Sequence, residues 1–512
     1  MNEASRTKRV LQNSKMSLLL FLAQLIVGFL TRKIFLDYLG AEVLGLNTTL
    51  GNILGFLNLA ELGIGMAMAT SLYKPLHDGD DETVCEIISV QGLLYKRIAY
   101  FLAGAGLLVM FFFPFFYKNI DCGLLYAYVA FLVFLFGSLN SYLWNYRVTL
   151  ISADQKNFKI TPWIQGVRYV KIGFQVFSLV VIHWGIWGWI FWEFVNNIVV
   201  VFVVNYVLKR EYPWLHKASA SSDELLKKYK HLLTKTKQLF VHKVSAFVLY
   251  QTPPLIISMF VSLSMVTYYG NYMLIIGYVS SLLNTIFSSM GASIGNLIAE
   301  KNDQHTIDVF WELLTSRIWF VGVACFGVYL FMNPLIRCWL GSQYILPDKT
   351  FVLILVGAFV SLSRSIVDSF KDAFQLFGDV GAPVAEAVIN LGASLYFGYL
   401  WGLNGILLGS NLSLIIIVLL WKPYYLFRYG LKRSCWNYYL QYVLLLFILL
   451  FCVFISMKIS FYTEHADYIT DVIHKVPSFI VFVLLSYLLF SLTMSGMRRF
   501  SRRIINILFH KV

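Results

Sequence analysis

The chain is a succession of long apolar runs, each closed by a short polar or basic connection. A hydrocarbon core about 30 Å thick takes roughly 20 helical residues per crossing. About fourteen runs reach that length: 16–36, 44–72, 93–117, 123–148, 161–182, 185–207, 241–267, 271–298, 315–335, 350–376, 383–400, 402–421, 437–457 and 477–495. In lipid a backbone must satisfy its own N–H and C=O groups, so such runs predict helices. The expected fold class is an all-α polytopic membrane protein. Composition agrees: 58% of residues are hydrophobic and 13% charged, against roughly 45–50% and 25% in soluble domains.

The net charge of +14 could suggest nucleic-acid binding, but that needs a basic folded face. Here Lys and Arg collect in short segments between apolar runs. The N-terminus, 74–97, 149–160, 208–240, 299–317, 422–436 and the tail from Arg498 carry most of them. The alternate connections, such as Tyr117–Asp121, His183–Gly185 and Trp401–Gly402, are short and weakly charged. The positive-inside rule then places both termini in the cytoplasm. Arg32 and Lys33 follow the first run without a small-residue cleavage site, which reads as an uncleaved first span. Trp184, Trp187, Trp189 and Trp192 fit an aromatic belt at the opposite interface. No two of the six cysteines lie closer than thirteen residues, which excludes CxxC redox and zinc patterns.

The longest polar break, 209–240, divides the chain. We expect an N-terminal bundle over 1–208, a basic cytoplasmic linker over 209–240, a second bundle over 241–422, two additional spans over 437–495 and a basic cytoplasmic tail over 496–512. The linker stretch LLKKYKHLLTKTKQLF has apolar residues at helical spacing between lysines, the pattern of an interfacial amphipathic helix or of a plain basic linker.

Ionisable residues inside the apolar runs are the functional candidates. A charge at the bilayer centre costs at least ~2.5 kcal/mol even on mild scales. Arg364, Asp368, Lys371 and Asp372 all lie in LILVGAFVSLSRSIVDSFKDAFQLF, at i, i+4, i+7 and i+8, which is one stripe of a helix. They line either a polar pathway or a structural ion-pair ladder. Arg168 and Lys171 are three apart on span five, either as a cavity wall or snorkelling to the interface. Arg32 is placed for an anion contact or for snorkelling, and His242 and Lys243 begin span seven. Substrate-binding candidates are therefore Arg32, Arg168, Lys171, Lys243, Arg364 and Lys371. Glu61, Glu193 and Glu386 are isolated acids in spans two, six and eleven. Burial raises a carboxyl pKa, so Glu61, together with Asp368, is a candidate ion-coupling site. No catalytic set, metal cluster, cofactor motif or Walker A loop is present in the sequence. We expect a non-enzyme without cofactor or metal.

TRKIFLDYLGAEVLGLN followed by LAELGIGMAMATSLY resembles the start of bacterial polysaccharide transporters, the flippases of the multidrug/oligosaccharidyl-lipid/polysaccharide exporter superfamily. LISADQKNF, FVHKVSAFVLYQTPPLIISMF, NPLIRCWLGSQYILP and APVAEAVINLGASLYFGYLWGLNGILLGSNLS agree in the same order. The resemblance runs to about residue 430. It implies two six-helix bundles around a central cavity that opens alternately to each side, with two further C-terminal helices outside the repeat. It also implies transfer of undecaprenyl-pyrophosphate-linked oligosaccharide repeat units across the bacterial inner membrane, for O-antigen, lipopolysaccharide or capsule synthesis. Implied partners are the lipid-linked oligosaccharide, a proton or sodium ion, membrane lipids, and polysaccharide polymerase and chain-length machinery. Many relatives carry an Asp in span seven where this chain has Gln251-Thr252-Pro253-Pro254, so that role does not transfer, and the prolines should interrupt the helix. Rival readings are a cation-coupled drug exporter, a peptidoglycan lipid-precursor flippase, and a membrane glycosyltransferase or polymerase.

Overall fold

The computed structural model describes residues 3–61, 63–117, 120–218, 220–230, 251–288, 290–376, 378–379, 381–459 and 468–509. These residues form helices and turns, with no strand among them. Eight helices are long and apolar enough, by length and composition, to cross a membrane. The protein is an all-α, multi-pass membrane protein. Most of the predicted spans, where described, fall on helix; span seven instead breaks at 261–262, and the expected connection at 268–270 lies inside helix Leu263–Ser288. Helix Glu3–Leu57 breaks at Gly40, which has φ 79. That is the expected boundary between spans one and two.

Span two itself is not one helix. The chain tightens into a 3₁₀ turn over Asn58–Glu61 and restarts at Ile64 after Gly63, whose φ is 98. The expected interruption at Pro253 and Pro254 is not seen where the chain is described, since 251–260 is helical. Residues 231–250, including Lys243 and most of the amphipathic linker stretch, lie outside the described residues.

The chain divides into two compact units, Met1–Thr267 and Tyr268–Val512. In the first, helices Asp81–Phe111, Leu124–Leu143, Asn157–Val180 and Gly185–Glu211 follow in sequence. Leu46, Leu50, Tyr126 and Phe131 form one core, and Met68, Leu72, Leu150 and Ile151 a second. Asp80 starts helix Asp81–Phe111 by accepting from the Thr83 backbone N–H at 3.0 Å. Hydrogen bonds from the Thr83 side chain and backbone hold its carboxyl below the usual range. The described part of the linker, helix Ser222–Lys228, opens with a capping box from Ser221 and Glu224. It is tied to helix Asp81–Phe111 by Lys228 and Tyr229, each 2.6 Å from Glu86 Oε2.

The second unit is built on helix Asp303–Trp339, capped by Asn302. Its core includes Phe310, Phe370, Leu426, Leu445, Phe482 and Phe490. Helix Gly381–Ser413 reverses at Trp401 and Gly402, giving spans eleven and twelve as an antiparallel hairpin. The two arms touch backbone to backbone: a Cβ on Gly405 would lie 1.9 Å from Phe397 O, and one on Gly409 2.4 Å from Ser394 N. Only glycine leaves room for that approach. The second arm continues into wide π-helical turns over Leu414–Trp421 and Leu426–Gly430. The tail from Ser495 forms helix Ser495–Phe509 on Asp303–Trp339, with Met497 buried and Arg499 and Arg503 paired to Asp308 and Glu312 at 2.7 and 3.0 Å.

Candidate functional site

The Arg364 region is a break between two helices rather than the middle of one. Helix Asp348–Ser363 ends at Arg364, and Ser365–Ala373 begins there. A helix end leaves carbonyls without intrahelical partners. Arg317, fully buried, donates to one of them, Leu362 O, at 2.9 Å. The same guanidinium donates to Leu283 O at 3.0 Å and Asn284 Oδ1 at 2.9 Å, with the Phe287 ring at 4.8 Å. Arg317 thus ties three helices together through carbonyl oxygens and a ring face. Sequence reasoning left it in a cytoplasmic connection, because its acceptors are mostly backbone atoms that no residue pattern announces.

Beyond the break, six ionisable side chains form a cluster. Arg364 Nε lies 2.9 Å from Asp368 Oδ2, and Lys422 Nζ lies 3.0 Å from Asp368 Oδ1. Arg364 Nη1 lies 3.9 Å from Glu386 Oε1, an ion-pair contact too long for a hydrogen bond. Lys371 Nζ lies 2.9 Å from Asp379 Oδ2 and sits over the Tyr425 ring at 5.0 Å, while Trp421 Nε1 donates to Asp379 Oδ1 at 3.0 Å. Lys371 is also within electrostatic reach of Asp368 and Glu386. Arg364, Lys371 and Lys422 face Asp368, Asp379 and Glu386, so the formal charges cancel when all are ionised.

The i, i+4 pair of Arg364 and Asp368 stands as read from sequence. The four-residue stripe does not: Lys371 turns to Asp379, and Asp372 is exposed. Glu386 is not isolated, since Arg364 reaches it. Asp379, Trp421 and Lys422 were not singled out in the sequence, where they sit in polar links or at the end of span twelve. The π-helical turns help bring Trp421, Lys422 and Tyr425 to the cluster, a geometry that 3.6-residue periodicity does not anticipate.

In the first unit the candidates are dispersed. Lys171 Nζ lies 2.7 Å from Glu193 Oε2, so Glu193 is paired as well. Gln175 Nε2 donates to Trp189 O at 2.9 Å and lies 3.4 Å from Glu193 Oε2. Arg168, on the same helix, is exposed and separate from that pair. Arg32 is half-buried and donates to Thr267 O at 3.4 Å, whereas Lys33 is exposed and pairs with Asp37. Glu61 accepts from Tyr95 Oη at 2.5 Å. Tyr142 Oη, whose ring lies edge-on to Tyr95, donates to Asn58 Oδ1 at 3.1 Å.

No protein-family model matches the sequence, and no curated protein matches it. Among solved structures the chain is similar to the lipid II flippase MurJ in an inward closed conformation, at 15% identity and a TM-score of 0.63, with 93% of this chain and 98% of that one covered. It is also similar to a multidrug resistance MATE family transporter of the MOP superfamily in an inward-facing conformation, at 12% identity and a TM-score of 0.57, with 80% and 95% covered. The helices that carry the charge cluster therefore belong to a fold found in multi-pass membrane transporters.

Proposed function

We propose that this chain is an alternating-access flippase for an anionic, lipid-linked oligosaccharide. It moves undecaprenyl-pyrophosphate-linked repeat units from the cytoplasmic to the periplasmic leaflet for surface polysaccharide synthesis. The observation that carries this reading is the whole-chain likeness to a lipid flippase. The ordered segments that resemble polysaccharide transporters favour a glycan substrate within that class. On this reading Arg364, Lys371 and Lys422 present cations to the pyrophosphate, aided by Arg32, Arg168, Lys171 and Lys243. Arg suits that role because its planar donors match phosphate oxygens two at a time.

The cluster's neutrality suggests how binding drives a change of state. Each cation already has a carboxylate, so an arriving phosphate competes with Asp368 for Arg364 and Lys422. A proton on Asp368 or Glu386 would release the same cations. Substrate and proton then act on one set of pairs spread over helices Asp348–Ser363, Ser365–Ala373 and Gly381–Ser413 and residue Lys422. Glu61, held by Tyr95, is the second ion-coupling candidate.

The test is reconstitution of purified protein in vesicles, reading exposure of the glycan to an added glycosidase. A pyrophosphate-linked oligosaccharide lipid should cross and lipid II should not. Preferential movement of lipid II would assign the chain to the peptidoglycan precursor, and proton-driven efflux of a cationic dye without glycolipid movement would assign it to drug export. Glu61→Gln should keep substrate binding and weaken flipping driven by a pH gradient. Wild-type flipping that ignores both proton and sodium gradients would remove Glu61 and Asp368 from the coupling role.

A further inference from the structure

A cavity of about 630 Å³ in the first unit is lined by three cations and no carboxylate. Lys96 comes from helix Asp81–Phe111, Arg147 from the turn after helix Leu124–Leu143, and Lys217 from the segment that follows helix Gly185–Glu211. None of the three is in an ion pair among the described residues, in contrast to the cations of the charge cluster. Carboxylates that could have neutralised them are engaged elsewhere: Glu86 by Lys228 and Tyr229, Asp154 by Lys156, and Glu61 by Tyr95. Lining the same cavity are the rings of Tyr142, Trp144 and Tyr146.

The walls are fixed by contacts of their own. The 212–218 segment is pinned by Ala218 N–H to Ser89 Oγ at 2.9 Å and by Tyr212 Oη to Asp154 Oδ2 at 2.9 Å. Tyr146 lies directly against helix Asp81–Phe111, since a Cβ on Gly92 would meet its Oη at 2.8 Å. Arg147 sits over the Tyr146 ring at 5.6 Å, which orients the guanidinium. Trp144, by contrast, is 45% exposed.

We infer that this cavity, which shares no residue with the Arg364 cluster, is a capture subsite for the phosphorylated saccharide head of the substrate. Three unpaired cations attract a multiply charged anion, and charge-assisted hydrogen bonds to phosphate are the strong ones. An exposed indole beside them offers an apolar plane for the C–H face of a sugar ring. The volume is within the ~300–1,000 Å³ typical of small-molecule sites. The elements that build it belong to the connections that charge asymmetry assigns to the cytoplasmic side, where a newly made glycolipid presents its head. The inference rests on the flippase reading for the identity of the ligand, not for the presence of the site.

The experiment is calorimetric titration of the full chain in nanodiscs of phosphatidylcholine. The ligands are a lipid-free N-acetylglucosamine pyrophosphate head and inorganic pyrophosphate. The double variant Lys96→Ala/Lys217→Ala should weaken both ligands by about tenfold or more, the equivalent of ~1.4 kcal/mol. Trp144→Ala should weaken the sugar-bearing head and leave inorganic pyrophosphate unchanged. Gly92→Leu, which displaces Tyr146, should weaken the head while the variant keeps its melting temperature within a few degrees of wild type. Unchanged affinity in the double variant overturns the subsite. Equal effects of Trp144→Ala on both ligands overturn the saccharide assignment and leave a phosphate site. Displacement of the head by added phosphatidylglycerol makes it a lipid-headgroup site instead. Binding is read without transport, so a chain that binds but does not flip overturns the flippase reading alone.

Discussion

The charge cluster of the second unit and the cavity of the first treat their cations in opposite ways. In the second unit every cation of the cluster has a carboxylate within 3.0 Å, and the side chains come from several helices and from Arg364 and Asp379 between helices. In the first unit Lys96, Arg147 and Lys217 line a cavity with no acid among its lining residues. The difference follows from solvation. Lys422 and Lys371 are mostly buried, at 11% and 12% side-chain exposure, and a charge so placed must be paired or, like Arg317, fully hydrogen-bonded. Lys96 and Lys217 are exposed, so water satisfies them until a ligand replaces it. A paired, neutral cluster suits a switch whose state depends on which partner wins. An unpaired pocket suits first capture of an anion.

That contrast can be broken most directly at Asp368. Asp368→Leu takes the nearest carboxylate from both Arg364 and Lys422 while leaving Arg364 its 3.9 Å contact with Glu386, and removing one member of a buried pair costs about 3–5 kcal/mol. The measurement is thermal unfolding of the detergent-solubilised chain. The double variant Arg364→Leu/Asp368→Leu should recover a large part of the loss, because it removes charge of both signs. If Asp368→Leu is as stable as wild type, the cluster is hydrated and the contrast with the cavity fails.

A smaller effect is expected where a pair is half-open. Lys171→Met leaves Glu193 without its cation, but Glu193 is 21% exposed and Gln175 remains within reach. The loss should be about 1–3 kcal/mol, the cost of an unsatisfied group rather than of a stranded buried charge. Unfolding of Lys171→Met compared with Lys171→Met/Glu193→Gln checks it: the double variant should be the more stable.

The smallest effect belongs to the cavity. Lys217→Ala should change stability by no more than about 0.5 kcal/mol, as for an exposed side chain without structural contacts. A large destabilisation would mean that Lys217 holds the 212–218 segment in place, and the distinction between a structural cluster and an open pocket would disappear.

Much of this was legible in the chain. Apolar runs of bilayer length fix the all-helical class, and the breaks at Gly40 and at Trp401–Gly402 fall at the predicted connections. The Arg364–Asp368 pair follows from a four-residue spacing on one helix, because i and i+4 side chains are neighbours on any helix. Spacing of this kind is local, so sequence alone determines it. Contacts between segments are different. That Lys422 reaches Asp368, that Trp421 and Lys371 share Asp379, and that Lys171 finds Glu193 depend on which helices pack side by side. The fate of Arg317 depends on backbone carbonyls freed or turned by neighbouring helices. The 630 Å³ cavity is assembled from three separate segments, the outer two more than a hundred residues apart, each unremarkable as basic loop or aromatic turn. Sequence thus determined that this chain must be a helical membrane protein with charges inside its apolar runs, because hydrocarbon admits few other solutions. Only the tertiary structure decided which of those charges are neutralised by a partner and which are not, because burial and pairing are properties of neighbours in space.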